Sequence, residues 1–290
     1  MIVSTTTWDL LGKHGVDGAI RIIAEAGFDA YDFSFCSIKQ DNPFFTDSYM
    51  DYAKEIKALS EECGITCNQA HAPFPSSVGD PEKDEKIFND IVRSMEFAAY
   101  LGAHVIVVHP KQHLCYQEHV DELFHMNVEF YNRLMPYAEK FGIKVATENM
   151  WQWNSSAEAI TDSTCSRAWE FNKYIDAVNS PYLVGCLDIG HVSLVGTSIP
   201  DFIRQMGKEH IYCLHVHDTN FKEDNHTLPY TLKINWTEVA EALGEIGYDG
   251  DFTFESDFAN KFPKELSLDA ETLQCKVGRY LAAKIEEHRK

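Results

Sequence analysis

One phrase recurs along this 290-residue chain: an amphipathic stretch of helical period, a glycine, then a short apolar run. It reads Ala24-Glu-Ala-Gly27-Phe-Asp-Ala-Tyr, Glu62-Cys-Gly64-Ile-Thr-Cys, Tyr100-Leu-Gly102-Ala-His-Val-Ile and Lys140-Phe-Gly142-Ile-Lys-Val. It returns as Glu245-Ile-Gly247-Tyr-Asp-Gly-Asp-Phe. Glycine just past a helix adopts the left-handed conformation cheaply, and the chain can then turn into a strand. The pattern predicts strands near residues 2–6, 29–35, 66–71, 104–109, 144–148, 183–188, 211–217 and 251–255. Helices are expected near 15–26, 46–63, 82–101, 119–141, 164–178, 198–208, 236–247 and 267–287. Eight alternating strand–helix units, with no linker or low-complexity segment between them, imply a parallel sheet covered by helices. At this length a closed (β/α)8 TIM barrel fits better than a doubly wound sheet, so residues 1–290 read as a single α/β domain. No GxGxxG or GxxxxGK[ST] follows any strand, which removes the usual nucleotide fingerprints.

Five of the apolar runs finish on a residue that can bind metal. They are His104-Val-Ile-Val-Val-His109, Lys144-Val-Ala-Thr-Glu148, Leu183-Val-Gly-Cys-Leu-Asp188, Ile211-Tyr-Cys-Leu-His215-Val-His217 and Phe252-Thr-Phe-Glu255. In a barrel the C-terminal strand ends share one rim, which is where active sites are built. Carboxylates and imidazoles gathered there suit a catalytic divalent ion with open positions for substrate.

A single glutamate at a strand end is ordinarily a loop cap or the partner of a lysine. Glu148 and Glu255, however, close strands next to others ending in Asp188 and His215, and an unpaired carboxylate there is costly. These four are expected to bind metal. In Leu187-Asp188-Ile-Gly-His191 the Asp and His stand three apart across a glycine turn, a pattern also open to an Asp cap with a loop histidine. His215 and His217 lie on one face of their strand, and spacing alone does not say which is the ligand. His71, His109, Asp224 and His226 lie at other strand ends or in the loop after strand seven. One ion is expected, with room for two or three. Trp8, Phe74, Trp151 and Trp153 stand near strand ends, where aromatic faces suit the C–H-rich side of a sugar ring. Lys111 is the one basic residue immediately following a strand-end ligand.

The formal net charge of −20 disfavours partners held through phosphates, such as nucleic acid or an anionic membrane. The N-terminal Met1-Ile-Val-Ser-Thr-Thr-Thr-Trp8 lacks a basic and then apolar segment, and no 18-residue apolar run occurs. The 8 cysteines are scattered without a CxxC pair, which suggests a reduced, cytoplasmic protein without a thiolate zinc site. A homo-oligomer is compatible with all of this.

The chain resembles the xylose isomerase-like TIM barrels, the superfamily of sugar isomerases, epimerases and endonuclease IV. Thr147-Glu148-Asn149, Leu187-Asp-Ile-Gly-His191, His215-Val-His-Asp218, Asn235-Trp236 and Gly247-Tyr-Asp-Gly-Asp-Phe-Thr-Phe-Glu255 fall in the family order. For the epimerases the resemblance implies one Mn²⁺, Co²⁺ or Zn²⁺ ion on Glu148, Asp188, His215 (or His217 in its place) and Glu255. Glu148 and Glu255 would then be acid and base, with His191 beside the substrate and His217 as a further contact. For endonuclease IV it implies a three-zinc site on His71, His109, Glu148, Asp188, His191, His215, Asp224, His226 and Glu255. The sugar 3-epimerases carry HxHxGExxxR after strand seven, whereas here the loop reads His217-Asp-Thr-Asn-Phe-Lys222-Glu223, without their arginine. The expectation is a divalent-metal isomerase or epimerase acting on a sugar, sugar phosphate or polyol. The alternatives are a metal-dependent lyase or dehydratase on a keto-sugar, a trinuclear zinc phosphodiesterase and a silent sugar sensor.

Overall fold

The computed structural model describes residues 1–36 and 38–289. Each predicted unit is present. In chain order they are β1 (Val3–Thr6), α1 (Trp8–Ala26), β2 (Ala30–Ser34), α2 (Tyr49–Cys63), β3 (Thr66–His71), α3 (Pro81–Leu101), β4 (Val105–Val107), α4 (Tyr116–Phe141) and β5 (Lys144–Glu148). A hairpin of β6 (Trp151–Asn154) and β7 (Ala159–Asp162) follows, then α5 (Ala168–Val178), β8 (Leu183–Asp188), α6 (Ile189–Leu194) and α7 (Ile199–Met206). The chain continues through β9 (Ile211–His215), α8 (Trp236–Glu245), β10 (Phe252–Phe254) and α9 (Ser267–His288).

The parallel sheet runs β10-β1-β2-β3-β4-β5-β8-β9. It closes through Val216, whose N–H donates to Thr253 O at 3.0 Å and whose carbonyl accepts from Glu255 N at 3.2 Å. The outcome is the eight-stranded TIM barrel. Gly27, Gly64, Gly102, Gly142 and Gly247 all have positive φ, so the recurring glycine does end the helices as its conformational freedom allows. Among the described residues no helix is long and apolar enough to cross a membrane.

Strand alternation sorts side chains between two cores. Val145 packs with the helices, whereas Val105, Val107, Ala146, Cys186 and Cys213 form a small apolar plug inside the barrel. The inward face of each strand continues two residues further. From Val107, Ala146, Cys186 and Cys213 it therefore reaches His109, Glu148, Asp188 and His215. The plug seals the lumen beneath, and the polar ends stand above it.

Two elements depart from the predicted pattern. The β6–β7 hairpin occupies residues where only aromatic loop positions were expected, because it lies outside the barrel period and pairs with itself. The short α6 begins directly at Ile189, where the Asp188 side chain accepts from His191 N at 2.6 Å. Asp188 therefore caps a helix while sitting among the other strand-end groups, uniting the two readings of that motif.

Candidate metal centre

Ten side chains converge above the plug in groups within each of which the ligand atoms lie within 4.8 Å of one another. One group is Glu148, Asp188, His215 and Glu255, and a second is His71, His109 and Glu148. A third consists of His191, His217, Asp224 and His226. Glu148 is shared, with its Oε1 3.0 Å from His215 Nδ1 and its Oε2 2.9 Å from His109 Nε2. Of the two candidate histidines, His215 at the end of β9 and His217 just beyond it, His215 joins the glutamates. His217 joins the third group, although its Nε2 also lies 3.1 Å from Asp188 Oδ2.

Local backbone explains how the rings are aimed. His71 Nδ1–H donates to Ala72 O at 2.9 Å, His191 Nδ1–H to Asn149 O at 2.8 Å and His226 Nδ1–H to Glu255 O at 2.8 Å. A carbonyl can only accept, so each ring turns its Nε2 to the interior, the arrangement that orients metal-binding histidines. His71 Nε2 and His109 Nε2 face one another at 2.9 Å. His215 Nε2, His217 Nδ1 and Asp224 Oδ1 are buried without a hydrogen-bond partner. Convergent lone pairs, four carboxylates and pre-set tautomers fit a divalent cation, and the donor set contains no thiolate. Gly190 is needed for close approach: a Cβ there would lie 2.1 Å from His217 Cε1.

The electrostatics point the same way. Burial alone would raise Glu148, but the His215 and His109 imidazoles outweigh it and hold the carboxyl well below its ordinary value. Asp224 is likewise held well down, with His191 and His226 overriding burial. Burial would lower His215, but Glu255 and Glu148 raise it well above the usual imidazole range. His226 is pushed up to about 10, Asp224 prevailing over desolvation. The carboxylates attract positive charge strongly enough to hold protons on deeply buried rings. A divalent ion satisfies the same demand with fewer buried groups.

Above the cluster opens a cavity of about 530 Å³. His71, His109, His191, Asp224, His226 and Glu255 reach it from below, and Trp8, Phe74, Trp151 and Trp153 form its sides. Glu148, Asp188 and His215 are fully buried beneath. Two expected substrate contacts do not line it. His217 is fully buried within the third group, held under Gly190. Lys111 turns its ammonium over the Phe130 ring, 5.2 Å from the centroid, because Asn127 pins its backbone outside the barrel mouth.

Sequence reasoning missed Asp32, and the supporting roles of Asn149 and Trp151, which it named only as a motif residue and a cavity aromatic. Asp32 on β2 accepts from Gln69 Nε2 at 2.8 Å and lies 3.7 Å from His215 Nε2. The Asn149 carboxamide clamps the Asp188 backbone in both directions, at 2.9 and 2.8 Å. Trp151 Nε1 donates to Asp224 Oδ2 at 3.1 Å, tying a cavity wall to the cluster. Asp32 ends no apolar run, so nothing in the strand-end pattern marked it.

The xylose isomerase-like TIM barrel family matches residues 20–273. The chain belongs to this family. An uncharacterized protein of Methanocaldococcus jannaschii is 29% identical, covering 86% of this chain and 85% of that protein. The D-psicose 3-epimerase of Ruminiclostridium cellulolyticum is 26% identical, covering 81% of this chain and 76% of the relative. A crystal structure of a D-tagatose 3-epimerase-like protein superposes with a TM-score of 0.78 at 23% identity, over 99% of both chains. At that identity it speaks for the xylose isomerase-like fold.

Proposed function

We propose that this protein is a divalent-metal-dependent isomerase or epimerase that moves a proton at a carbon next to a carbonyl in a sugar or related polyol. The supporting observation is Glu255, whose side chain is 15% exposed at the cavity floor while the other members of its group, Glu148, Asp188 and His215, are fully buried. Glu148, Asp188, His215 and Glu255 would hold the principal ion. Bound there, a divalent cation supplies Lewis-acid polarisation of a carbonyl and its adjacent hydroxyl. Glu255 removes a proton from the carbon presented to it, and its distances of 3.4 Å to His215 Nδ1 and 3.8 Å to His71 Nε2 hold the carboxylate in position. Glu148, expected as the second acid/base, is buried behind the His109 ring and off the cavity lining, so it serves here as a ligand of the ion. Trp8 and Trp151 orient the sugar face and keep water from the reacting carbon. The epimerase activity of the 26%-identical relative agrees with this reading.

The test is an elemental analysis of protein purified without chelator, followed by a proton-exchange screen in D₂O against ketoses, aldoses and inososes. Metal-dependent incorporation of deuterium at one carbon supports the proposal. A metal-free protein with no gain of activity or stability on adding Mn²⁺, Co²⁺ or Zn²⁺ defeats it. Product analysis separates epimerisation from loss of water or cleavage of a keto-sugar.

One observation favours a second reading. Three adjacent ligand groups, two of them sharing Glu148, suit a multinuclear zinc phosphodiesterase. Three zinc ions per chain together with cleavage of an abasic-site duplex would favour it over proton transfer. The charge of −20 argues against that substrate.

A further inference from the structure

The cavity has two chemically different parts. Its floor carries the imidazoles and carboxylates. Its wall is built from Trp8, Phe74, Met150, Trp151 and Trp153. Phe74 and Trp153 remain 47% and 55% exposed at the rim, large apolar surfaces that the protein itself does not cover. The polar side chains of the wall are largely spent. Gln152 accepts from Tyr116 N at 2.9 Å and donates to Gln112 O and Leu114 O at 3.2 and 2.9 Å. The Gln112 carboxamide oxygen accepts from Ser163 at 3.3 Å. The Trp151 N–H is already given to Asp224 and the Cys36 thiol to Ala72 O. Among the described lining residues what remains is the Gln112 amide nitrogen, the Trp8 and Trp153 indole N–H groups and the Ser34 hydroxyl, too few for a polyol bearing a hydroxyl on every carbon. Hydroxyls placed against this wall lose water without gaining a partner.

Charge completes the contrast. None of the described residues lining the cavity is Lys or Arg. A phosphate at the outer end of a substrate would therefore lose hydration without a charged donor to replace it. A volume of about 530 Å³ also falls within the range of sites that enclose ligands with an apolar body.

We infer that the substrate is an uncharged sugar carrying an apolar, ring-sized substituent at the end remote from the cluster, rather than a sugar phosphate or an unsubstituted sugar. This rests on the sugar-transforming reading above. The sugar's oxygens meet the floor, and its substituent lies between Trp153, Phe74 and Trp151.

The experiment measures equilibrium binding to Mn²⁺-loaded protein by intrinsic tryptophan fluorescence. The probes are matched sets built on D-glucose, D-galactose and D-fructose: the phenyl glycoside, the free sugar and its 6-phosphate. In at least one set the phenyl glycoside should bind tighter than the free sugar by at least about tenfold, and the phosphate no tighter than the free sugar. Trp153→Ala should erase most of that preference while leaving Mn²⁺ content per chain unchanged, since Trp153 touches none of the cluster. Equal or tighter binding of the free sugar or phosphate in every set overturns the inference, as does absence of saturable phenyl glycoside binding. Proton exchange, followed in parallel, separates the two claims. Exchange on free sugars without phenyl preference removes the inference and keeps the proposed activity. The phenyl glycosides have no free carbonyl and report binding only; phenyl preference with no exchange on any free sugar that binds removes the activity and keeps the assignment of the cavity.

Discussion

At the scale of the residue, the most informative contrast is between the two glutamates. Glu148 is fully buried and pinned by two imidazoles, while Glu255 faces the cavity. Replacing Glu255 by Gln keeps the shape and removes the proton acceptor. At saturating metal the rate of D₂O exchange should fall by about 10²–10⁴-fold. Wild-type exchange in that variant would rule out Glu255 as the base. Gly190→Ala probes the cluster from another side, because the added methyl cannot coexist with the His217 ring where it now lies. Metal per chain should drop, with circular dichroism showing the barrel intact. Full metal content at wild-type affinity would mean the ring moves at no cost to binding.

At the scale of the element, α5 carries a carboxyl that serves neither capping nor the metal centre. Glu170 is buried against α4, and desolvation pushes it up to about 7 despite its bond to Tyr116. A raised carboxyl holds its proton more firmly in the folded state than in the unfolded one. Its burial is therefore harmless below the ordinary value of 4.5 and costs more as pH rises through about 7. Glu170→Gln removes that cost. Urea unfolding at pH 5 and pH 8 should show the variant gaining about 2 kcal/mol on wild type between the two. An unchanged difference would mean Glu170 ionises freely in the fold. The elements themselves were mostly legible. Helices ended at the predicted glycines because a left-handed residue there is costly for anything else, and the eight strands fell where apolar runs lay between them. The β6–β7 hairpin was not legible, since its alternation serves the cavity rim and no core.

For the whole molecule, charge and metal set the expectations. At −20 the surface repels polyanions, so an abasic-site duplex should bind more weakly than micromolar at physiological salt. Sub-micromolar, sequence-independent affinity would reverse that view. Gathering ten ligand-type side chains in one place is a strain that a bound cation would relieve. Adding Mn²⁺, Co²⁺ or Zn²⁺ at about 100 times its Kd should stabilise the fold by about 2.7 kcal/mol, and a chelator should reverse the gain. A melting temperature indifferent to both would show that protons alone balance the cluster.

The sequence by itself determined the barrel, because period-two strands, 3.6-residue helices and glycine stops are local properties that chain order preserves. It also determined that His109, Glu148, Asp188, His215 and Glu255 share one rim, since strand ends of a parallel barrel all face the same way. Only the tertiary structure decided how these groups divide. Whether His215 or His217 meets the glutamates depends on height within the lumen and on the space left by Gly190, which no spacing in one strand records. The place of Asp32 beneath His215, the turning of Lys111 onto Phe130 and the apolar wall of the cavity depend on which distant segments meet. Those meetings are set by packing across the barrel, and packing is a property of the assembled whole.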